Sequence, residues 1–222
     1  MAKKNIGATL ALYPCPVIVV GAMVNDKPTW TLVAHAGTVA HTHLMVSLVQ
    51  AHYINKGIRE NKKLSVNVVD ESWLAKADRM GTISGNKEDK SEAFAWTMGE
   101  NGAPIIDEAK VSIECEVDGN YELENFDHFI CKILATYVDE TVLNEQGKID
   151  YHTFKPVLFE FPTYEYFVTG EKVGNCGKMN CFFKSLAFKG QRLVLHRMKG
   201  WKNDRKDNYS FLHIRRKRCR KK

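Results

Sequence analysis

Long apolar runs are missing from this chain of 222 residues, and no stretch is both long and apolar enough to cross a bilayer as a helix. The nearest candidate, Ile6 to Val24 behind Lys3 and Lys4, has the layout of a secretory signal. It is interrupted by Tyr13-Pro14-Cys15-Pro16, and a proline inside a helix removes a hydrogen bond and clashes with the preceding turn. The run Val17-Ile18-Val19-Val20 reads instead as a buried strand entered through a proline bend. Cysteine is scarce: six residues (15, 115, 131, 176, 181 and 219) are too sparse for a small disulfide scaffold. Cys115 and Cys131 fall on apolar faces of candidate strands, where a thiol acts as a small hydrophobe. Cys176, Cys181, His196, His213 and Cys219 have spacings unlike the compact pairs of recurring zinc sites, so no metal is expected. The expectation is a reduced, cytoplasmic protein. The sequence also lacks G-x-G-x-x-G and G-x-x-x-x-G-K-[ST], which removes the main support for a Rossmann domain or a P-loop NTPase. There is no internal repeat.

What is present is an ordinary globular composition, 44% hydrophobic and 26% charged, enough for one well-filled core or two small ones. The formal net charge of +6 conceals a split. Residues 181–222 hold fifteen Lys and Arg against Asp204 and Asp207, which makes that stretch +13. Residues 1–180 hold seventeen basic and twenty-four acidic side chains, or −7. Charge asymmetry of this kind marks segments with different roles, so a folded body over 1–180 and a poorly ordered basic tail over 181–222 are expected.

Strand patterns dominate the body. Val111, Ile113, Cys115 and Val117 alternate with Ser112, Glu114 and Glu116. Asp118-Gly119-Asn120 then predicts a turn into a partner strand at Tyr121 to Leu123. His128 to Val138 continues a meander, Leu64 to Val68 alternates, and Leu44 to Val49 reads as a strand covered on both faces. Asn55, Ser72 and Ser91 each stand where a cap would open a short helix, reaching Asn61, Gly81 and Met98 respectively. Antiparallel hairpins with a few short inserted helices predict a mainly β fold, a closed or partly closed barrel.

Three stretches carry polar residues with no evident folding reason. Trp30 to Thr38 ends as Ala34-His35-Ala36-Gly37, small residues that let a planar ligand lie close to the backbone. Ser47 to Gly57 collects Ser47, His52, Asn55 and Lys56 as a buried strand gives way to a helix, whose N-terminal N–H groups favour an anion such as phosphate. Gly81 to Ser91 offers Ser84, Gly85, Lys87 and Lys90 on a loop with free donors.

In this order and spacing the three stretches resemble the flavin reductase-like family of FMN-binding split barrels, above all its flavoredoxin-like members. Tyr13-Pro14-Cys15-Pro16-Val17, Leu64-Ser65-Val66-Asn67, Asp89-Lys90-Ser91, Tyr164-Glu165-Tyr166 and Gly170 to Gly174 extend the likeness over about Tyr13 to Gly174. The resemblance implies an antiparallel split β-barrel, a homodimer, and one FMN per subunit near the dimer interface. It places Ala34, His35, Ala36 and Gly37 along the ring and ribityl chain. Ser47, Leu48, His52, Tyr53, Asn55 and Lys56 fall around ribityl and phosphate, Ser84, Gly85 and Lys90 in the following loop, and Tyr166 near the ring. Gln50 stands where the family commonly has proline, and Ile54 where it often has a hydroxyl residue. Chemistry would come from the cofactor, so no catalytic acid, base or nucleophile is assigned.

The implied activity is FMN-dependent oxidoreduction, with NAD(P)H or a redox partner protein as electron source, and the residues do not separate a reductase from a carrier. Two other classes stand beside it. His35, His41, His43 and His52 invite comparison with haem-binding barrels, without a Cys-x-x-Cys-His attachment site. The stretch from Phe182 to Lys222 interleaves basic and aromatic residues as nucleic-acid binders do, and its abrupt start after the family likeness is also what a read-through end would produce.

Overall fold

In the computed structural model, which describes residues 1–177, the β-branched run after Pro16 leads into a strand that is buried along nearly its whole length. The expected basic tail from Cys181 to Lys222 lies outside the described residues. The chain from Met1 to Lys172 forms one compact unit. Its strands are β1 (Cys15–Pro16), β2 (Ile18–Val24), β3 (Lys27–Val33), β4 (Ala36–Ala40), β5 (His43–Val49), β6 (Lys63–Val68), β7 (Trp96–Met98), β8 (Pro104–Ile106), β9 (Val111–Leu123), β10 (Phe126–Val138), β11 (Val157–Glu160) and β12 (Glu165–Val168). Two α-helices are inserted, α1 (Ile54–Asn61) and α2 (Leu74–Thr82).

A seven-stranded antiparallel sheet runs in the order β3-β2-β6-β9-β10-β5-β4. Its first and last strands are joined in sequence by only Ala34 and His35, and the Ser47 N–H donates to the His35 carbonyl at 2.9 Å. The sheet therefore curls back on itself at this bend, the partly closed barrel that the strand pattern predicts and the split barrel that the family resemblance implies. Ile18, Val20, Val46, Leu48, Leu64, Val66, Phe129 and Cys131 fill the barrel, with Ile54 and Ile58 of α1. The opposite face of β2 contributes Val19, and the residue just before the strand, Val17, joins it in a second core with Trp30, Trp73, Ala77, Met80, Phe94, Ile106 and Val157. Burial on both faces explains why the β2 sequence shows no polar alternation. A smaller sheet, β1-β11-β12, lies over this second core through Phe159 and Tyr166.

The expected turn at Asp118-Gly119-Asn120 does not form. β9 runs through it to Leu123, and the register with β10 shifts so that Ile130 faces Gly119 while Cys131 faces Val117, leaving Asp118 as a bulge. The chain reverses at Glu124 and Asn125, whose φ values of 50° and 67° suit a two-residue hairpin loop. The expected helix from Ser91 to Met98 is also absent. The Ser91 N–H is held by the Asp89 carboxylate at 2.9 Å, and Phe94 packs edge-on against Trp30 and Trp73. Trp96 to Met98 then pairs with β8, so tertiary packing overrides the local cap signal. α2 begins at Leu74 rather than Ser72, because both the N–H and the hydroxyl of Ser72 are spent on Asp70.

α1 has Tyr53, not Asn55, at its cap position, and Asn55 lies buried in the first turn. Gly57 permits the helix to approach β2 closely: a Cβ there would stand 1.9 Å from the Met23 carbonyl oxygen. The Asn61 amide donates to the same carbonyl at 3.0 Å, and Lys62, at φ 57°, ends the helix in a left-handed conformation.

Candidate functional site

The bend that closes the barrel also opens a cavity of about 310 Å³. Val17, Leu32, Val33, Ala34 and His35 form one side, and Ser47, Leu48, Val49 and His52 another. The third side is aromatic: Phe126, Phe159, Phe161 and Tyr166. The His35 ring lies 4.9 Å from that of Phe161 and 5.6 Å from that of Phe126, centroid to centroid, while Phe159 stands 5.0 Å from Phe161 and 5.2 Å from Tyr166. The Tyr166 hydroxyl donates to Asp78 of α2 at 2.6 Å, tying the β11–β12 hairpin down; burial, and then this bond, raise its pKa. Ser47 Oγ is 2.8 Å from His128 Nδ1, and His128 Nε2 is buried with no partner among the described residues. Which way the Ser47 proton points therefore depends on the His128 tautomer.

A second, more polar cavity of about 470 Å³ adjoins the first, sharing Leu32, Val49 and His52 with it. Its walls are Thr29 to Leu32 of β3, the turn from Ala51 to Ile54, the loop from Gly81 to Asn86, and Lys90. β3 is an edge strand here, and its Trp30 carbonyl accepts from Lys90 Nζ at 3.1 Å. The same ammonium donates to the Met80 carbonyl at 2.9 Å. An ammonium has three protons, so one remains for a ligand. Burial pulls the Lys90 pKa down to about 8, opposed by Glu88. The N-terminus of α1 faces this cavity with no acidic residue in its first turn and no side-chain cap. The Asn55 and Lys56 N–H groups turn back to the His52 and Tyr53 carbonyls at 3.1 and 3.2 Å, so the N–H groups of Tyr53 and Ile54 are the ones left for an anion.

Both histidines of the cleft are held toward their neutral forms. Burial lowers the His35 pKa first, with the charge of His128 adding to it; burial likewise lowers that of His52, with Lys90 adding. Of the residues singled out in the sequence, Ala34, His35, Ser47, Leu48 and His52 come together in the first cavity, and His52, Tyr53, Ser84, Gly85 and Lys90 in the second. Ala36, Gly37, Asn55 and Lys56 line neither; Gly37 faces open space, Asn55 is buried beneath the helix start, and Lys56 Nζ lies 5.0 Å from the Tyr53 ring centre. Ile54 is 2% exposed and belongs to the barrel core, so a hydroxyl there would have to be buried. The sequence reading missed Phe126, Phe159, Phe161 and His128. The alternation Phe159-Glu160-Phe161 was a usable signal, since it places two rings on one face of a strand end.

Residues 10–165 match the sequence profile of the flavin reductase like domain. The chain belongs to this family. Among solved structures, Flavoredoxin from Methanosarcina acetivorans superposes with a TM-score of 0.77 at 33% identity, covering 84% of this chain and 100% of that one. Flavoredoxin of Desulfovibrio vulgaris (Miyazaki F) gives 0.74 at 29% identity, covering 81% and 100%. The curated FMN reductase (NADH) RutF of Stutzerimonas stutzeri is 31% identical over 98 residues, 42% of this chain and 53% of that protein. The flavin reductase-like chain thus spans about half the length of the curated relatives it matches.

Proposed function

We propose that the protein binds FMN across the two adjoining cavities and acts as an FMN-dependent oxidoreductase, with NADH or NADPH as electron source. The observation that carries this reading is the graded lining of the cleft, aromatic and apolar at one end and cationic beside a helix start with no side-chain cap at the other. FMN has the same gradient, a flat ring joined through a hydroxylated chain to a phosphate. Each cavity falls within the range of about 300–1,000 Å³ usual for small-ligand sites.

Ala34, His35 and Phe161 would flank the ring, and Ser47 would offer its hydroxyl to the ring edge in a direction set by His128. Neutral His35 and His52 keep a fixed positive charge away from the ring end. Lys90, the hydroxyl of Ser84 and the start of α1 would hold the phosphate, the last through its N–H groups and dipole. When bound, FMN supplies the capacity to take a hydride or single electrons. The chain's own task is to orient the ring, exclude water with the aromatic wall, and leave one edge open to the electron donor.

A homodimer is supported by the exposed edge of β4 and by the exposed apolar side chains Val39, Tyr121 and Leu123, which a second copy would cover. A cytoplasmic location is supported by Cys15, Cys115, Cys131 and Cys176, all free thiols. Stopped-flow mixing of FMN-loaded protein with NADH and with NADPH tests the activity. Rapid bleaching by either nucleotide is expected; bleaching only with a reduced partner protein would make the protein a carrier instead.

A further inference from the structure

Asp127 has no exposed surface and lies on β10 beside Leu48, the penultimate residue of β5. Its Oδ2 accepts from Asn55 Nδ2 at 2.8 Å and from the Arg59 guanidinium at 2.6 Å, and its Oδ1 accepts from Asn120 Nδ2 at 3.1 Å. The second proton of the Asn55 amide goes to the Val49 carbonyl at 3.1 Å. One buried carboxylate thus clips the first turn of α1, through Asn55, and its last turn, through Arg59, to the strands beside the cleft. The clip costs a desolvated charge, which packing of α1 does not require, since Ile54, Ile58 and Gly57 already seat the helix against the barrel. It does set where the start of α1 stands relative to Val49 and His52, two of the residues shared by both cavities.

We propose that Asp127 is a positioning residue for phosphate recognition: it fixes the α1 N-terminus at the distance that suits a phosphate monoester and so makes the site select FMN over riboflavin. The inference rests on the functional reading above. It separates Asp127 from a general stabiliser, because riboflavin shares the ring and ribityl chain and lacks only the phosphate. Charge-assisted hydrogen bonds to a buried carboxylate are short and directional, so replacing it by an amide loosens the helix start without removing the barrel core.

The test is titration of the full chain and of D127N with FMN and with riboflavin, followed by flavin fluorescence. D127N should bind FMN about tenfold more weakly while riboflavin affinity changes less than about twofold. Equal losses for the two flavins, or no loss for either, would overturn the proposal. If D127N fails to fold, R59Q decides. Arg59 is partly exposed in the last turn of α1, away from the phosphate end, and R59Q should give a smaller loss, again confined to FMN. An R59Q protein with unchanged FMN affinity overturns the proposal in that case. A wild-type chain that binds neither flavin would overturn the functional reading and this inference with it, whereas tight binding of both, equally by wild type and D127N, overturns the inference alone.

Discussion

His35 and His52 show at the residue scale how the fold prepares the cleft, since both are kept neutral by burial before any ligand enters. Their folded pKa values lie below the ordinary 6.5, so the unfolded chain binds more protons as the pH falls through that value. Stability should therefore decline on acidification from about pH 7 to pH 5, and H35Q and H52Q should each flatten that decline in thermal melts. Lys90 behaves with the same sign at higher pH. Its folded pKa of about 8 lies below the ordinary 10.5, so stability linked to it rises between these values and is absent below pH 8. K90M should remove this slope in denaturant titrations at pH 8 to 10, and weaken FMN binding about tenfold by removing the cation proposed to hold the phosphate. Lys90 was legible in the sequence as a donor on a loop. That it is 5% exposed and braced between Trp30 and Met80 was not, because those partners are brought to it by β3 and α2.

Among the elements, α1 is the one whose local sequence says least about its placement. Gly57 in mid-helix reads as a weak point, and alanine there normally stabilises a helix by about 1 kcal/mol. Here the added Cβ would collide with the Met23 carbonyl, so G57A should destabilise by about 1–3 kcal/mol in chemical denaturation and displace the helix start that faces the cleft. The strands were more legible. Alternation located β6, β9 and β10, and the unbroken run Val17 to Val20 located β2, because pleat and burial impose those patterns directly. The failures came where two local signals competed. Asp118-Gly119 has turn chemistry yet sits in a bulge, since continuing the ladder to Leu123 keeps the pairing with β10. Ser91 has cap chemistry yet no helix, since Phe94 is required between two tryptophans. The hairpin β11–β12, which supplies most of the aromatic wall, has strands of only four residues, so the alternation Phe159-Glu160-Phe161 is its one periodic signal.

For the whole molecule, strand order explains where the cleft is. A sheet whose first and last strands are consecutive in the chain must bend sharply between them, and Ala34-His35 is that bend. Every residue lining the two cavities lies between Val17 and Tyr166, within the compact unit that ends at Lys172. A chain truncated after Lys178 should accordingly bind FMN within about twofold of the full chain, and the formal charge of the retained part should be close to the −7 of residues 1–180 rather than the +6 of the whole. The central claim, that the graded cleft is a flavin mononucleotide site, is tested most directly by one equilibrium titration of purified full-length protein with FMN, read by quenching of flavin fluorescence. Saturable binding with one FMN per chain, much tighter than riboflavin, is the predicted result; an undiminished fluorescence at FMN concentrations far above that of the protein would contradict it.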